Sequence, residues 1–312
     1  MKLRLLPFLI IFVVISACQP VTTVPDWADV PWGPFKLVDP QGITNPVLTA
    51  ADVTDRDAQF VADPFLFHEK ESWYMFLEVF NQETGGDIGV ATSPDGYHWK
   101  YDRIVMDEPF HLSYPYVFKA NGVYYMIPET HQPQDVRVYE ADNFPYDWRY
   151  VATILNQHKY VDPSILYHDG RWWLFVSDTE NSTLFLFSSK SITGHWVEHP
   201  MSPIIQNSSR DARPGGRVFV YDGDNIIRVA QSYGDFLSVR AYQVDVLTTK
   251  EYAEHEIAES PLLIPGTNPE DWYAAGMHQF DPWWTGEKWI AVFDGRAMDD
   301  IYSIGIKDAV SP

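Results

Sequence analysis

The sequence predicts a five-bladed β-propeller, an all-β fold in which about four strands make up each blade. The first observation is a repeat, because Pro64, Pro115 and Pro163 follow one another at intervals of 51 and 48 residues. The second is that an aromatic pair begins nine positions after each of these prolines. The third is that no long stretch has the 3.6-residue period of a helix, apart from the apolar N-terminus. Repeats of ~40–50 residues with four strands each are typical of propellers.

Each unit opens with two apolar strands joined by a tight turn. Three units begin at Ala62, Ser113 and Val161, and a further copy begins at Met277. Type I′ hairpin turns need positive φ at both central residues, which Asn-Gly and Asp-Gly tolerate well. Such dipeptides occupy the predicted turns at 121–122, 169–170 and 222–223. The last of these turns marks a weaker copy, so the sequence predicts five units.

A further strand follows each hairpin and, in the first three units, leads to Trp99, Trp148 and Trp196. The segment from Trp32 to Asp52 precedes the first unit, and we expect it to supply the strand that closes the ring. A β-sandwich is the alternative fold, but it does not explain a period of about 50 residues with the same turn and aromatic pattern. The propeller is predicted to span residues 36–312 as a single domain.

The composition excludes several classes of protein. Apolar residues make up 46% and aromatic residues 15% of the 312 residues, which rules out a disordered chain and allows a sizeable core. The formal net charge is -21, and the sequence has no dense run of Lys and Arg that could follow a phosphate backbone. We therefore expect no nucleic-acid partner.

The first residues resemble a bacterial lipoprotein signal peptide. A short basic region precedes an apolar run too short to span a bilayer comfortably, and "ISAC" then ends at Cys18, the single cysteine. Residues 1–17 are predicted to be cleaved, Cys18 to carry the lipid, and residues 18–35 to form a tether. An ordinary signal peptide and an uncleaved membrane anchor are the alternatives. We expect a lipid-anchored, extracytoplasmic protein of the bacterial cell envelope, and Gln19 favours the outer membrane.

The repeat places chemically unusual residues at one mouth of the channel. In a propeller the first strand of each blade lines the central channel, so equivalent positions face one another. That position is held in the five units by Asp63, Tyr114, Asp162, Gly215 and His278. An Asp before Pro often shapes a turn, which is the alternative explanation for both Asp residues. A function is favoured because an unpaired buried charge is costly.

The second strand of each hairpin runs back toward the same mouth. Glu78 and Glu129 end it in the first two units, and His111 lies nearby in "HLSYP". These side chains are candidates for acid–base chemistry on a sugar or for binding it. The alternative is that each Glu pairs with an arginine, such as Arg213 or Arg228, and only holds blades together.

The fourth unit differs from the others because it concentrates arginine. Arg is the natural bidentate partner of a carboxylate or a phosphate. The unit contains Arg210, Arg213, Arg217 and Arg228, together with Gln231. These side chains either neutralise the channel carboxylates or bind an anionic group of a ligand, and the sequence leaves both open.

The motifs resemble the five-bladed propellers of glycoside hydrolase family 43. Asp63 in "ADPFLF" and Asp162 in "VDPSIL" match two Asp residues of that family. The resemblance implies that Asp63 is a general base and that Asp162 tunes and orients the general acid. The acid of that family is a Glu in blade four, where this chain has "ARPGG" instead. The acid is therefore left unassigned by the resemblance.

A closer resemblance covers nearly the whole chain after the signal peptide. The strings "EPFHLSYPYVF", "YMIPET", "YEADNFP" and "ARPGGRV" resemble the propeller domain at the N-terminus of plant glucosamine inositolphosphorylceramide transferases and of free-standing bacterial relatives. In the plant enzymes a separate domain is thought to carry the sugar transfer, and we expect that domain to be absent here. The transferase activity is therefore not expected of this chain.

The favoured hypothesis is a carbohydrate-active enzyme that cleaves a glycosidic bond, with Asp63 as base and Glu129 as acid. Glu78 is the second candidate acid, and Tyr114 and Tyr116 are expected to line a sugar subsite. Phosphorolysis, in which the arginines hold phosphate, is a variant of this hypothesis. A non-catalytic glycan-binding lipoprotein is the alternative, and an envelope scaffold is least favoured.

The partners follow from the same hypothesis. We expect a carbohydrate or glycoconjugate, bound by a monomer that meets the membrane through its lipid. No cofactor and no metal site are expected, because His and carboxylate residues lack the spacing of a zinc site. A cation bound by Asp63, Asp162 or His278 is the weaker alternative.

Overall fold

The computed structural model describes residues 25–234 and 236–312. Over these residues the chain forms twenty-two strands and one 3-10 turn, Ala50–Asp52. No helix in the described residues is long and apolar enough to cross a membrane. The predicted signal peptide and the lipidation site Cys18 lie outside the described residues.

Five sheets form the blades of an all-β propeller, as the repeat predicts. Two short strands come first: β1 (Asp26–Trp27) and β2 (Leu37–Val38). Blade one contains β3 (Phe60–Glu69), β4 (Ser72–Asn81), β5 (Gly85–Ser93) and β6 (Lys100–Met106). Blade two contains β7 (Ser113–Ala120), β8 (Val123–Glu129), β9 (Asp135–Asn143) and β10 (Asp147–Asn156).

The remaining blades follow in chain order. Blade three contains β11 (Val161–His168), β12 (Arg171–Ser177), β13 (Leu184–Ser189) and β14 (Val197–Glu198). Blade four contains β15 (Arg213–Pro214), β16 (Phe219–Tyr221), β17 (Asn225–Tyr233), β18 (Leu237–Leu247) and β19 (Tyr252–Glu256). Blade five contains β20 (Phe280–Trp284), β21 (Trp289–Arg296) and β22 (Tyr302–Ala309). Consecutive strands within a blade pair antiparallel, except that β15 and β16 both pair with β17.

The ring closes with a strand from the N-terminal side. Strand β2 pairs antiparallel with β22, with Leu37 opposite Ala309, and forms the outermost strand of blade five. This confirms the prediction that the segment from Trp32 to Asp52 supplies the closing strand. Because the two strands are far apart in the sequence, their pairing holds blade five to the start of blade one.

Part of the segment that the sequence assigned to the tether packs on the propeller. Strand β1 runs parallel to β16 of blade four, with Trp27 opposite Tyr221. The buried ring of Trp27 lies edge-on to Trp289 at 4.6 Å and to Trp283 at 5.8 Å. Aromatic burial and edge-on packing of this kind are stabilising. Residues 25–35 therefore include a strand that contacts the propeller.

A buried ion pair joins four blades at the centre of the ring. Nε of Arg217, which precedes β16, donates to Oδ1 of Asp281 in blade five at 2.6 Å. Arg217 also donates to the carbonyls of Leu66 in blade one and Val117 in blade two, at 3.0 and 3.2 Å. Both charged side chains are fully buried and hydrogen-bonded. Arg217 therefore neutralises a carboxylate of the fold, which is one of the two roles that the sequence left open for it.

Candidate active site

The first-strand position has the same unusual backbone in three blades. Asp63, Tyr114 and Asp162 have φ values of 50°, 48° and 51°, in the left-handed region that residues other than Gly rarely adopt. The pairing of the first and second strands shifts register at each of them. Such a bulge re-aims a side chain and stores strain of about 1–3 kcal/mol. The same device therefore turns three side chains away from the regular pleat at one mouth of the channel.

The backbone N–H of each bulge residue donates to a carboxylate of the preceding blade. Asp63 donates to Oδ2 of Asp294 at 2.9 Å, and Tyr114 donates to Oδ2 of Asp63 at 3.1 Å. Asp162 donates to Oε2 of Glu129 at 3.3 Å. A bulge releases its N–H from the ladder, and a buried N–H needs an acceptor. These carboxylates thus have a structural task at the mouth, whatever else they do.

One carboxylate oxygen of Asp63 takes no part in these hydrogen bonds. The residue is 5% exposed, and its Oδ1 has no hydrogen-bond partner among the described residues. Nε2 of His278 approaches that oxygen at 3.8 Å. Burial raises the pKa of Asp63 to about 6; His278 opposes the rise and Asp294 adds to it. A carboxyl group that titrates near neutral pH is suited to proton transfer.

His278 is held in place by Asp294 and Tyr302. Its Nδ1 lies 2.7 Å from Oδ1 of Asp294, and the ring stacks on Tyr302 with centroids 4.7 Å apart. Burial lowers the pKa of His278, but the Asp294 carboxylate outweighs it, so the net shift is upward. Asp294 is the site residue that the sequence analysis missed. It stands five residues after Trp289, just as Glu78 stands five residues after Trp73, so the repeat contained the signal.

Glu78 lies beside His111 and a glycine. Nδ1 of His111 accepts a hydrogen bond from the backbone N–H of Gly86 at 2.9 Å, which leaves Nε2 to carry the proton of the neutral ring. That Nε2 lies 3.7 Å from Oε1 of Glu78, and a Cβ on Gly86 would come within 2.8 Å of the same oxygen. Burial, together with Asp63 and Glu129, raises the pKa of Glu78 well above its ordinary value. Glu78 is therefore set up to hold a proton.

Glu129 has the opposite electrostatic setting. Its Oε1 lies 2.6 Å from Nδ1 of His131, and Nη2 of Arg213 lies 3.7 Å from its Oε2. Burial raises the pKa of Glu129, but His131 and Arg213 outweigh it and hold the value at about 2. Glu129 is therefore set up to stay ionised, although the repeat places it in the same position as Glu78.

Asp162 is held by two donors of blade four. Nε of Arg213 donates to its Oδ2 at 2.5 Å, and Nε2 of Gln231 donates to the same oxygen at 2.6 Å. Arg213 also donates to the side chain of Asn181 at 2.8 Å. Burial raises the pKa of Asp162, and Arg213 opposes the rise. Arg213 is thus fully engaged by the protein, with two carboxylates and an amide around it.

Blade four has no room for a side chain at the first-strand position. A Cβ on Gly215 would lie 2.7 Å from the backbone N of Gln231 and 3.1 Å from the carbonyl oxygen of His278. Backbone atoms cannot give way as a flexible side chain can. A Glu at this position is therefore excluded by packing, in agreement with its absence from "ARPGG".

Comparison with known proteins places the chain in a family. Residues 39–296 match the family described as Glucosamine inositolphosphorylceramide transferase 1, N-terminal. The chain belongs to this family. Glucosamine inositolphosphorylceramide transferase 1 of Oryza sativa subsp. japonica is 36% identical over 269 residues, and that of Arabidopsis thaliana is 37% identical over 252 residues. These matches cover 81% and 77% of this chain but 36% and 32% of the relatives, so the chain spans about a third of their length.

A solved structure outside this family has the same fold as this chain. The α-L-arabinofuranosidase of Podospora anserina superposes with a TM-score of 0.62 at 13% identity, covering 91% of this chain and 99% of that chain. Identity this low shows the fold alone. The superposition confirms the five-bladed propeller fold.

Two tyrosines that the sequence predicts to line a sugar subsite are buried packing residues instead. Tyr114 is fully buried, its hydroxyl lies 2.7 Å from Oγ of Ser164, and it donates to the carbonyl of Gly216 at 2.9 Å. Tyr116 is also fully buried and donates to the carbonyl of Ile165 at 2.7 Å. The expectation that they line a sugar subsite is corrected, because neither ring faces open space.

Arg228 needs the same correction. Its Nε and Nη2 donate to the two carboxylate oxygens of Glu254 at 2.8 and 2.6 Å, and its guanidinium lies over the ring of Tyr242. Side chains alternate between the two faces of a strand, so Arg228 and Gln231 of β17 point in opposite directions. Gln231 reaches the channel and Arg228 therefore does not. Arg210 pairs with Glu256, away from the carboxylates of the mouth.

A cation is sterically compatible with one part of the mouth. Asp63, His278 and Asp294 each offer one atom, and these atoms lie within 4.8 Å of one another. The hydrogen bonds of Asp294 to His278 and to the backbone of Asp63 account for most of these contacts without an ion. The unpartnered Oδ1 of Asp63 is the atom that a cation would satisfy.

Proposed function

We propose that this propeller is a carbohydrate-active protein that cleaves a glycosidic bond with two carboxyl groups of blade one. The observation that carries the proposal is the placement of Glu78 beside Asp63, because Glu78 lies opposite Ala62 in the pairing of β3 and β4. Both side chains are buried at the mouth, and burial raises both pKa values. Cleavage of a glycosidic bond needs an acid for the leaving oxygen and a base for the attacking water.

The roles follow from the two environments. Protonated Glu78 gives its proton to the glycosidic oxygen as the bond to the anomeric carbon breaks. Ionised Asp63 takes a proton from a water molecule whose oxygen bonds to that carbon. One sugar with a new hydroxyl and one alcohol result, and exchange with solvent returns both carboxyl groups to their starting states. We propose Glu78 in place of Glu129 as the acid, because a group with a pKa of about 2 has no proton to give.

The other residues of the mouth are assigned to positioning. Asp162 accepts from Arg213 and Gln231, and its backbone N–H donates to Glu129, so it fixes the positions of these side chains at the mouth. His278 faces the free oxygen of Asp63, and its positive charge favours the ionised form of that carboxyl group. Phosphorolysis has no support, because Arg213 is already paired with Asp162 and Glu129 and a phosphate would meet their charges.

A non-catalytic glycan-binding protein is the second candidate. The observation that favours it is the use of Asp63, Asp294 and Glu129 as acceptors for backbone N–H groups. These contacts give each carboxylate a purpose that needs no reaction. A propeller built in this way holds a polar ring at its mouth and binds sugar hydroxyls there.

The experiment that decides between them uses the full chain with Cys18→Ser, which cannot be lipidated. It is incubated with a panel of oligosaccharides, including ones that contain glucosamine because the names of the relatives include that sugar. Release of reducing ends that disappears in Asp63→Asn and Glu78→Gln supports cleavage. Binding that persists in both variants, with no product from any member of the panel, overturns it in favour of the second candidate.

The cellular setting is a separate proposal from the sequence. We infer that the chain is a monomer tethered by lipid at Cys18 to an envelope membrane, with the outer membrane favoured. The lipobox-like "ISAC" supports this. Mass spectrometry of the protein from its host tests it, since a diacylglyceryl adduct is expected at Cys18 and must vanish in Cys18→Ser. An unmodified cysteine would rule the anchor out.

A further inference from the structure

We propose that a cavity against blade five, separate from the channel mouth, is a second binding site that takes a neutral oligosaccharide. The cavity has a volume of about 680 Å³, within the ~300–1,000 Å³ that is usual for ligand sites. It lies between blade five, the segment that precedes β3 and the segment that connects β19 to β20. The proposal rests on the proposed function only for the chemical class of the ligand.

One strand of blade five separates this cavity from the mouth. Phe293 lines the cavity, while its neighbour Asp294 bonds to His278 at the mouth. Successive side chains of a strand point to opposite faces of the sheet, so these two residues of β21 serve opposite faces. Lys307 also lines the cavity, and it lies on the Phe293 face because it follows two residues after Gly305, the partner of Phe293. The cavity is therefore distinct from the proposed catalytic site.

Three adjoining aromatic rings form one wall of the cavity. The indole of Trp272 stacks on the ring of Phe293 with centroids 5.6 Å apart, and Tyr273 lies edge-on to Trp272 at 5.3 Å. Two glycines leave room for the indole on the sheet, because a Cβ on Gly295 would come within 2.5 Å of it and one on Gly305 within 2.7 Å. Trp and Tyr combine an apolar ring with a polar group, which suits a sugar with its C–H faces and hydroxyl edges.

Hydrogen-bonding groups stand beside these rings. Nε1 of Trp272 and the hydroxyl of Tyr273 have no hydrogen-bond partner among the described residues. Burial raises the pKa of Tyr273, and the nearby carboxylates of Asp271 and Asp39 add to the rise. Nζ of Lys307 pairs with Oδ1 of Asp39 at 2.8 Å. Donors and acceptors both line the cavity, as the recognition of hydroxyl groups requires.

The remaining walls are fixed by hydrogen bonds of the backbone. Leu263 pairs with a strand of blade four, and the N–H of Gly266 donates to the carbonyl of Tyr273 at 3.2 Å. On the other side, the amide of Asn45 exchanges two hydrogen bonds with the backbone of Ile306, at 2.9 and 2.8 Å. Segments that are far apart in the sequence are thus held together around the cavity. A preformed site lowers the entropic cost of binding a ligand.

The charges of the cavity favour a neutral ligand that carries hydroxyl groups. Two carboxylates, Asp39 and Asp271, and one ammonium group, Lys307, line it. The carboxylates and the net charge of -21 oppose an acidic sugar or a phosphate, and the ammonium group opposes a cation. An apolar ligand would cover these charges without offering them a hydrogen bond, which is costly. A neutral oligosaccharide meets none of these obstacles.

The test follows the indole of Trp272 by NMR. The chain with Cys18→Ser and Asp63→Asn, in which a substrate is not expected to be consumed, is labelled with ¹⁵N-tryptophan. The Trp272 signal is assigned by its loss in Trp272→Phe. Cellohexaose, xylohexaose and mannohexaose are the neutral probes, hexagalacturonate is the acidic probe and toluene is the apolar probe. At least one neutral probe is expected to shift the Trp272 signal, and the acidic and apolar probes to leave it unchanged.

A matched pair of variants tests the contact. Tyr273→Phe removes one hydroxyl and keeps the ring, so the affinity obtained by titrating this signal is expected to fall by about two- to tenfold, the contribution of one hydrogen bond. Tyr125→Phe is the control, because Tyr125 is a half-buried tyrosine of blade two whose hydroxyl also has no partner among the described residues. Melting temperatures equal to that of the parent chain show that both variants are folded.

The outcomes separate this proposal from the proposed function. The cavity site is overturned if no neutral probe shifts the Trp272 signal, or if the affinity is unchanged in Tyr273→Phe or falls equally in Tyr125→Phe. A shift caused by hexagalacturonate or toluene, but by no neutral probe, would assign the cavity to that class of ligand and overturn the proposal as well. Cleavage by the parent chain without a shift leaves only the proposed function standing. A shift without cleavage of any sugar leaves only the cavity site standing.

Discussion

The carboxylate of Asp294 in blade five accepts a hydrogen bond from the backbone N–H of Asp63 in blade one, at 2.9 Å. The two residues are 231 positions apart in the sequence, so the contact exists only when the ring is closed. It holds Asp63 in its left-handed backbone, while Oδ1 of that residue has no hydrogen-bond partner in the part of the chain that the structure describes. The same carboxylates therefore stabilise the fold and form the proposed catalytic site. A useful variant must remove the proposed catalytic role and keep the structural one.

Asp63→Asn keeps the structural role of this residue and removes its proposed role as a base. The amide keeps an oxygen that accepts from the backbone N–H of Tyr114, but it cannot take a proton from water. We expect kcat to fall by about 10²- to 10⁴-fold, the usual contribution of a general base. The melting temperature is expected to stay the same or rise, since the variant removes a buried charge whose Oδ1 has no hydrogen-bond partner among the described residues. Turnover measured under saturating substrate, with calorimetric melting, checks both; an active Asp63→Asn variant would exclude Asp63 as the base.

Glu78→Gln and Glu129→Gln distinguish the acid from its counterpart in blade two. If Glu78 protonates the leaving oxygen, Glu78→Gln is slow on alkyl glycosides but nearly unchanged on nitrophenyl glycosides, whose leaving group needs no proton. Glu129→Gln is expected to lower stability, because it removes the charge that faces His131 and Arg213. Rates for both leaving groups and denaturation midpoints give the comparison. A selective loss on alkyl glycosides in Glu129→Gln would return the acid role to that residue.

The fold could be predicted because a propeller repeats itself in the sequence, and each copy shows the same turn and aromatic positions. The repeat also placed Asp63, Asp162, Glu78 and Glu129 at one mouth. It could not say which of two equivalent Glu residues holds a proton, since that depends on the contacts that Glu129 makes in the fold, with His131 two residues further on and with Arg213 of blade four.

The arginines show the same limit of sequence reasoning. Of those in blade four, Arg213 reaches the site carboxylates, while Arg217 pairs with Asp281 and Arg228 with Glu254. The alternation of side chains along β17 could have separated Arg228 from Gln231 in advance. The partner of Arg217, in contrast, comes from another blade, and no local pattern indicates it.

The pH dependence of activity and of stability is expected to report Asp63. The base works when ionised, so activity falls as the pH drops below about 6, and it falls again at high pH when Glu78 loses its proton. The pKa of Asp63 is raised on folding, so the folded state binds the proton more tightly than the unfolded state does. Its contribution to stability is therefore present below the unfolded pKa and is lost as the pH rises to about 6.

The measurement for this prediction is a set of melting curves between pH 3.5 and pH 7, taken as a difference between the parent chain and Asp63→Asn. The parent is expected to lose stability relative to the variant as the pH rises through that window. Asp224→Asn is a suitable control, because Asp224 is an exposed carboxylate in the turn between β16 and β17, at the other end of β17 from Gln231. A difference that does not change with pH would mean that the pKa of Asp63 is not raised.

The buried pair of Arg217 and Asp281 is expected to stabilise the fold and not to bind a ligand. Arg217→Met leaves Asp281 charged and without its partner, which costs about 3–5 kcal/mol of unfolding free energy. The double variant Arg217→Met with Asp281→Asn removes both charges and keeps an oxygen that accepts from the backbone N–H of Leu66, so much of the loss is expected to return. Urea denaturation of the single and double variants measures this coupling. If the single variant were as stable as the parent but lost glycan binding, Arg217 would belong to the ligand site after all.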